Sequence, residues 1–498
     1  MEYLADEESL AFSGYDEYID SDAKIRDIQK SLHKTMSALG RDGIERRIKD
    51  SEDYRKQRGV TFSVSGSERP FPLDVIPRIL NRREFSLIEA GVRQRVLALE
   101  AFLDDIYGSG EVFQDGVIPK KIIMSSGQYY REACNIAFSK KNRIVVAGID
   151  VVRNTDGHFY VMEDNIRVPS GVAYVLENRK TMETVFPELL KEYDVEKLND
   201  YVPHLSKALL AAKPPGAGKN CKVVLLTPGV YNSAYFEHSY LAIRLGIELV
   251  EGNDLVCMDN VCYLKTGKGL ERVDVIYKRI DDDFLDPVHF RHDSLLGCPG
   301  LINAAIAGNL SIVNAVGNGV ADDKLVYTYV PDFIRYYLGE EPILSNVPTY
   351  RLEERDELHY VLENMEKLVI KPANGSGGHG IVIGPQADEK ELEELRADIW
   401  AHPRDYIAQE VVNLSSAPVV EGGELKARHI DFRPFAINDG EGVFILRGGL
   451  TRVSSASKNL IVNSSQGGGS KDTWVTDEGR YCLENNCSDG VTGYLEKI

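Results

Sequence analysis

The sequence predicts a mixed α/β (α+β) protein with a parallel-sheet layer in its middle, and three observations carry that expectation. A strand–turn–strand segment between Val145 and Asn165 gathers acidic and amide side chains on one face. A second strand–loop–strand, between Lys367 and Ile383, carries a glycine-rich loop with a lysine at its base. Between them, from Cys221 to Tyr277, buried strands alternate with helical segments, the pattern of a parallel sheet.

The acidic hairpin comes first. Val145 to Val152 reads as a buried strand, Asn154-Thr155-Asp156-Gly157 as a turn, and His158 to Asn165 as the returning strand. With Asp156-Gly157 as a two-residue loop, Asp150 lies directly across from Glu163, and Asn165 shares the face of Glu163 because strand side chains alternate. Facing carboxylates repel unless a positive charge lies between them. Hard oxygen ligands of this kind suit Mg²⁺ holding nucleotide phosphates. The alternative is an exposed hairpin with solvated acids.

The glycine-rich segment is Lys371-Pro372-Ala373-Asn374-Gly375-Ser376-Gly377-Gly378-His379-Gly380. Such a loop lets backbone N–H groups approach an anion closely, and Lys371 can neutralise phosphate oxygens. It lacks the Gly-Lys-Ser/Thr ending of a Walker loop and leads into a strand, so it is neither that motif nor a dinucleotide fingerprint. Taken alone it is equally a plain hairpin turn.

The two hairpins together resemble the ATP-grasp superfamily, in which ATP is closed between two α+β subdomains. The resemblance implies that Lys371 and Lys324, in Asp322-Asp323-Lys324, bind phosphate, with Gly375, Ser376, Gly377 and Gly378 in the flap. It implies Asp150, Glu163 and Asn165 as Mg²⁺ ligands, and Gln409 and Val411 at the hinge that contacts adenine. Glu410 departs from the family's usual hinge. The order is inverted, since ordinary members carry the lysines first and the metal ligands last. The chain is therefore similar to the circularly permuted ATP-grasp family, relatives of the glutathionylspermidine synthetase ligase domain. The resembling blocks run from Glu163 to Gly171, Tyr277 to Pro287, Asn318 to Lys324 and Asn463 to Trp474.

What the resemblance implies is a carboxylate–amine ligase using ATP and Mg²⁺ through an acyl-phosphate, with small peptide-like acid and amine substrates. An arginine is expected to steady the acyl-phosphate. The position two residues before Asp150 that often supplies it is Gly148, which leaves Arg167, Arg433 or Arg452. Structural ion pairing is the competing role for each. A kinase acting on a small molecule, or a non-catalytic ATP-binding partner protein, are the alternative outcomes of the same fold.

Composition bounds the rest. The 498 residues suggest two to four domains. The expected division is 1–215 (helical part and metal hairpin), 216–345 (preATP-grasp-like α/β part), 346–475 (nucleotide-binding part with the flap) and 476–498 (acidic tail). Lys213 to Lys219 reads as a linker. A net charge of −19 argues against nucleic acid and anionic membrane surfaces as partners. No signal peptide or apolar membrane span is read, and seven scattered cysteines read as reduced thiols, so a cytoplasmic location is expected. A protein partner or homo-oligomer remains open. Helices are expected over much of 22–58, from Phe85 to Tyr107, from Leu325 to Leu338 and from Asp388 to Trp400, with Tyr406 to Val412 a strand. At the carboxyl ends of the middle strands, Tyr231, Asn232, Ser233 and Arg279 are expected near a ligand, with a capping turn as the alternative.

Overall fold

The computed structural model describes residues 3–4, 14–64, 67–136, 142–218, 220–375, 380–455 and 468–476. Its largest sheet has eleven strands and is assembled from distant parts of the chain. In spatial order the main path runs Ser345–Asn346, Phe159–Asn165, Val146–Arg153, Glu424–Arg433, Leu450–Val453, Gly469–Thr476 and Leu73–Asn81. The first and last strands of that path in sequence, Leu73–Asn81 and Gly469–Thr476, pair in parallel.

The middle of the chain forms a separate four-stranded sheet in the order Ser311–Val313, Val275–Lys278, Val223–Leu226, Glu248–Val250, every pair parallel. Its two central strands, Val223–Leu226 and Val275–Lys278, are buried along their whole length, as strands covered on both faces are. An antiparallel insertion of three strands, Leu255–Met258, Val261–Thr266 and Gly269–Arg272, follows Glu248–Val250 and was not anticipated from the sequence. The third layer is a small antiparallel sheet of Thr349–Arg351, Tyr406–Glu410, Leu368–Pro372 and Val382–Ile383, which carries the glycine-rich turn.

Helix Arg82–Ile106 packs an apolar stripe, including Phe85, Ile88, Val92, Val96, Leu99 and Phe102, into the largest core. It begins at a capping box: Asn81 accepts from Glu84 N–H, and the Glu84 carboxylate accepts from Asn81 N–H. Helix Lys30–Gln57 kinks at Gly40, whose φ is +61°. Helix Glu389–Ala401 starts at its Asp388 cap. The expected helix from Leu325 to Leu338 is instead three pieces, Lys324–Tyr327, Val330–Phe333 and a wider turn Ile334–Leu338. Pro331 lacks the N–H that would have joined the first two. Among the described residues no helix is long and apolar enough to cross a membrane. The described cysteines are free thiols, while Cys482 and Cys487 lie outside the described residues.

Candidate active site

The hairpin register decides where the acids meet. Asp150 pairs with Glu163, Ile149 with Asp164 and Gly148 with Asn165, as a two-residue loop would give. The loop is nonetheless longer, with Arg153 opposite Phe159, and a bulge at Met162 absorbs the difference before Glu163 is reached. Glu163 and Asn165 therefore share the face of Asp150, and the Asn165 amide donates to Glu163 Oε1 at 3.4 Å. Alternation sends Asp164 to the other face, where Arg95 holds both of its oxygens at 2.5 and 2.9 Å.

Asp150 is buried and engaged by two arginines. Arg433 donates Nε to Oδ1 at 2.5 Å and Nη2 to Oδ2 at 2.7 Å, and Arg452 Nη2 reaches Oδ2 at 2.7 Å. Arg452 also forms a two-pronged pair with Asp431, its cross-strand partner. Burial pushes the Asp150 carboxyl up, but Arg433 and Arg452 outweigh it and hold the group well below the usual carboxylate range. Asp431 goes the other way: burial raises it more than Arg452 lowers it. A carboxylate offers about four acceptor sites, and three of those on Asp150 are taken. Arg433 and Arg452 thus form an ion-pair cluster around Asp150.

The two lysines approach from the other side. Lys324 follows Asp323, which caps its short helix and pairs with Arg404. Its Nζ donates to the Gly375 carbonyl at 2.5 Å and lies 3.6 Å from Glu163 Oε2. Lys371, on the strand Leu368–Pro372, is buried and makes no ion pair or hydrogen bond through its side chain among the described residues. Burial pushes its ammonium down to about 8, with Glu163 opposing and Lys324 reinforcing the shift. Arg167, two residues past Asn165, is held loosely: Nη1 lies 3.2 Å from Gln128 Oε1 and 3.4 Å from Asp281 Oδ1, and Nε is 3.9 Å from Asp322. Asp322 caps the end of the hairpin by accepting from Ile166 and Arg167 N–H. Burial pushes its carboxyl up to about 7, with Arg167 opposing.

Asp150, Glu163, Asn165, Arg167, Asp322, both lysines, Asp431, Arg433 and Arg452 line one cavity of about 580 Å³, together with Gly375, Gln409 and Val411. Gln409 is tied by its amide to Thr349 Oγ1 at 2.9 Å, which fixes that wall. Ser376, Gly377 and Gly378 lie outside the described residues. Asn232 and Ser233 also line the cavity, whereas Tyr231 is 92% exposed and does not. Arg279 is buried against Glu237 and the Pro169 carbonyl, each at 2.7 Å. Asp431, which the sequence pattern places on one strand face with Arg433, lines the cavity, as does Asp281, to which sequence reasoning gave no role. The signal for Asp281 was its place just past a strand's carboxyl end.

Residues 77–454 match the family model for circularly permuted ATP-grasp type 2, well over half of the chain. The chain belongs to that family. The first and last parts of the described chain meet in one sheet, where Leu73–Asn81 pairs with Gly469–Thr476. The chain is 50% identical over 461 residues to an uncharacterized protein of Mycobacterium tuberculosis, covering 93% of this chain and 84% of that one. It is 42% identical over 465 residues to a protein of Frankia alni provisionally named glutamate–cysteine ligase 2-3. That match covers 93% of this chain but only 54% of the Frankia protein, so the name describes a longer molecule. The solved apo structure of a glutathione synthetase-like effector from Globodera pallida shares the fold, with a TM-score of 0.56 at 14% identity over 86% of this chain and 96% of that one.

An ATP-grasp site must accommodate phosphates and a divalent cation, and the donor set suits both. Glu163 and Asn165 offer oxygens with little other engagement, and Asp150 keeps about one acceptor site. Among the described residues no three Asp, Glu, His or Cys side chains converge as a metal cage, so phosphate oxygens and water would have to complete the coordination.

Proposed function

We propose that the chain is an ATP-dependent carboxylate–amine ligase that works through an acyl-phosphate. The observation that carries this reading is Lys371: a buried lysine with no ion pair among the described residues, lining one cavity with Lys324, Glu163 and Asn165, suits a polyanion. Lys371 and Lys324 take the phosphate oxygens, Lys324 exchanging the Gly375 carbonyl for them. Gln409 and Val411 border the adenine. Glu163, Asn165 and the remaining acceptor site of Asp150 would hold Mg²⁺, which would neutralise phosphate charge. A substrate carboxylate attacks the γ-phosphorus in line as ADP leaves, and a neutral amine then attacks the acyl carbonyl, phosphate departing and taking up the proton the amine loses.

Arg433 and Arg452 are committed to Asp150 and Asp431, so their part is to set the carboxylate that faces the cation. Arg167, with its longer contacts, is the arginine able to turn toward the acyl oxygen and stabilise the charge that develops there. The ligase name of the Frankia relative and the glutathione synthetase-like neighbour support a ligase over a kinase.

The test is ATP consumption with Mg²⁺ against pools of small acids, peptides and amines, with hydroxylamine present and products read by mass. Hydroxamate with ADP and phosphate is expected, and Lys371→Ala and Glu163→Ala should each abolish it. A phosphorylated product stable to hydroxylamine would replace the ligase by a kinase. ATP turnover unchanged in both variants would remove the site.

A further inference from the structure

Three of the five described cysteines gather where the three-stranded insertion meets the loop 281–300. Cys257 and Cys262 face each other across the strands Leu255–Met258 and Val261–Thr266, which are joined by Asp259-Asn260, both at positive φ. One pair out from such a two-residue turn, the partners are not hydrogen-bonded and their Cα atoms stand about 4.5 Å apart. Their shared face turns inward, since Cys262 is fully buried in the apolar core of the middle sheet. Cys298 is buried in the same core, and Cys257, only half-buried, packs against it. A Cβ added at Gly300, two residues past Cys298, would lie 3.0 Å from Cys257 Cβ and 3.9 Å from its Sγ. The Cys257 thiol stands within hydrogen-bonding reach of both Cys262 and Cys298.

The loop that carries Cys298 also borders the cavity, through Asp281, Phe284 and Leu296. Its internal bonds make it move as a unit. Cys298 N–H donates to the Leu285 carbonyl at 3.1 Å, and the Ser294 hydroxyl to the Phe284 carbonyl at 2.7 Å. Asp286 accepts from Gly300 and Ile302 N–H, at 3.1 and 2.9 Å. A Cβ at Gly297 would fall 2.0 Å from the Leu285 carbonyl oxygen. One at Gly252, just before the insertion, would fall 2.2 Å from the Gly297 carbonyl oxygen. Packing this close transmits strain, so a displacement of Cys298 carries Leu296 with it.

We propose that Cys257 and Cys298 form a redox modification site: hydrogen peroxide joins them in a disulfide that fastens the insertion to this loop and shifts the Leu296 side of the cavity. The half-buried Cys257 sulfur attacks one peroxide oxygen, the O–O bond breaks, and a sulfenic acid and water result. The Cys298 sulfur then attacks the sulfenic sulfur. The S–S bond forms as the S–O bond breaks, and hydroxide leaves with the thiol's proton as a second water. Two thiols are oxidised and one peroxide is reduced. An S–S bond is about 2.05 Å long, well inside hydrogen-bonding reach, so the two sulfurs must close on each other. A bond to Cys262 instead would join two strands whose Cα atoms are already at the short end of the disulfide range. Contact with Cys262 pushes the Cys257 thiol up to about 12, with Cys298 opposing and burial adding to the shift. Thiolate is scarce at neutral pH, so the site answers sustained oxidation rather than a brief pulse.

The experiment exposes the full chain to hydrogen peroxide, alkylates the remaining thiols and maps the peptides by mass. A Cys257–Cys298 cross-link is expected, and dithiothreitol should remove it. Its rate of formation should rise about tenfold from pH 7 to pH 8, as the thiolate fraction of a group titrating at about 12 does. Amide exchange over 281–298 should slow in the oxidised protein and recover on reduction. In Cys298→Ser, dimedone should trap the Cys257 sulfenic acid, while the reduced variant keeps the wild-type melting temperature and affinity for a labelled ATP analogue. Wild-type protein in which peroxide leaves both thiols free, oxidises them singly, or joins Cys257 to Cys262 overturns the inference. A cross-link that leaves exchange over 281–298 unchanged overturns its reach to the cavity. None of these readouts needs turnover, so they stand or fall apart from the ligase reading.

Discussion

Arg433 holds Asp150 by both carboxylate oxygens, at 2.5 and 2.7 Å, across strands 283 residues apart. Replacing Asp150 by Asn leaves Arg452 with Asp431 and Arg433 with only the more distant Glu163, 3.9 Å away, among the described carboxylates, in a buried setting. Unfolding in guanidinium should show a loss of about 3–5 kcal/mol, the usual consequence of breaking a buried pair from one side. The Asp150 carboxyl is held below its ordinary value of 3.8. Its own contribution is therefore complete above about pH 4 and is lost as the pH falls below that. The variant should show a shallower acid-side loss of stability than the wild type.

Lys371 makes the opposite prediction. Its ammonium titrates near 8 in the folded chain against 10.5 ordinarily, so below pH 8 folding carries the burden of a buried charge. Between pH 8 and 10.5 the native state releases that proton before the unfolded state does, and stability rises with pH. In the nucleotide-free protein, Lys371→Met should be more stable at pH 7, by up to about 3 kcal/mol at about 1.4 kcal/mol per unit. The same variant should lose the rise in melting temperature that MgATP gives the wild type. A wild type and variant with equal apo stability would show that Lys371 finds solvent.

Lys324 should act on nucleotide affinity rather than on the fold. Its Nζ is bonded to the Gly375 carbonyl and near Glu163, and both contacts are at the cavity. Lys324→Met is expected to weaken ATP binding about ten- to hundredfold, the range of one charged hydrogen bond. Fluorescence titration with a labelled ATP analogue would measure it, with little change in thermal unfolding.

Gly317 tests how closely the middle of the chain is fitted to the N-terminal part. Its φ is +87°, and an added Cβ would sit 2.3 Å from the Tyr107 hydroxyl oxygen. That hydroxyl donates to the Gly317 carbonyl at 2.9 Å. Gly317→Ala should destabilise by about 2 kcal/mol or more, through strain and overpacking together. Thermal unfolding of the purified variant would decide it.

Local patterns were legible in the sequence where the physics is local. The Asp150–Glu163 pairing followed from alternation and turn composition, although the loop and the Met162 bulge depart from the simplest hairpin and cancel. The helix Arg82–Ile106 and the parallel strands were likewise marked by apolar spacing. What could not be read was which charges neutralise each other. Arg433 and Arg452 were open to either structural or catalytic use until the strands Glu424–Arg433 and Leu450–Val453 brought both against Asp150. The three-stranded insertion from Leu255 to Arg272 alternates weakly on an exposed surface, so its period gave little signal.

The strand Leu73–Asn81 waits for Gly469–Thr476 before its edge is covered. On a ribosome, nearly four hundred residues are made between the two. Throughout that interval the growing polypeptide presents an unpaired β-edge and part of an apolar core to its surroundings, a state prone to wrong associations. Biogenesis of this protein should therefore lean on chaperones that shield nascent edges. A stop codon placed shortly before residue 469 should yield insoluble material rather than a smaller working enzyme.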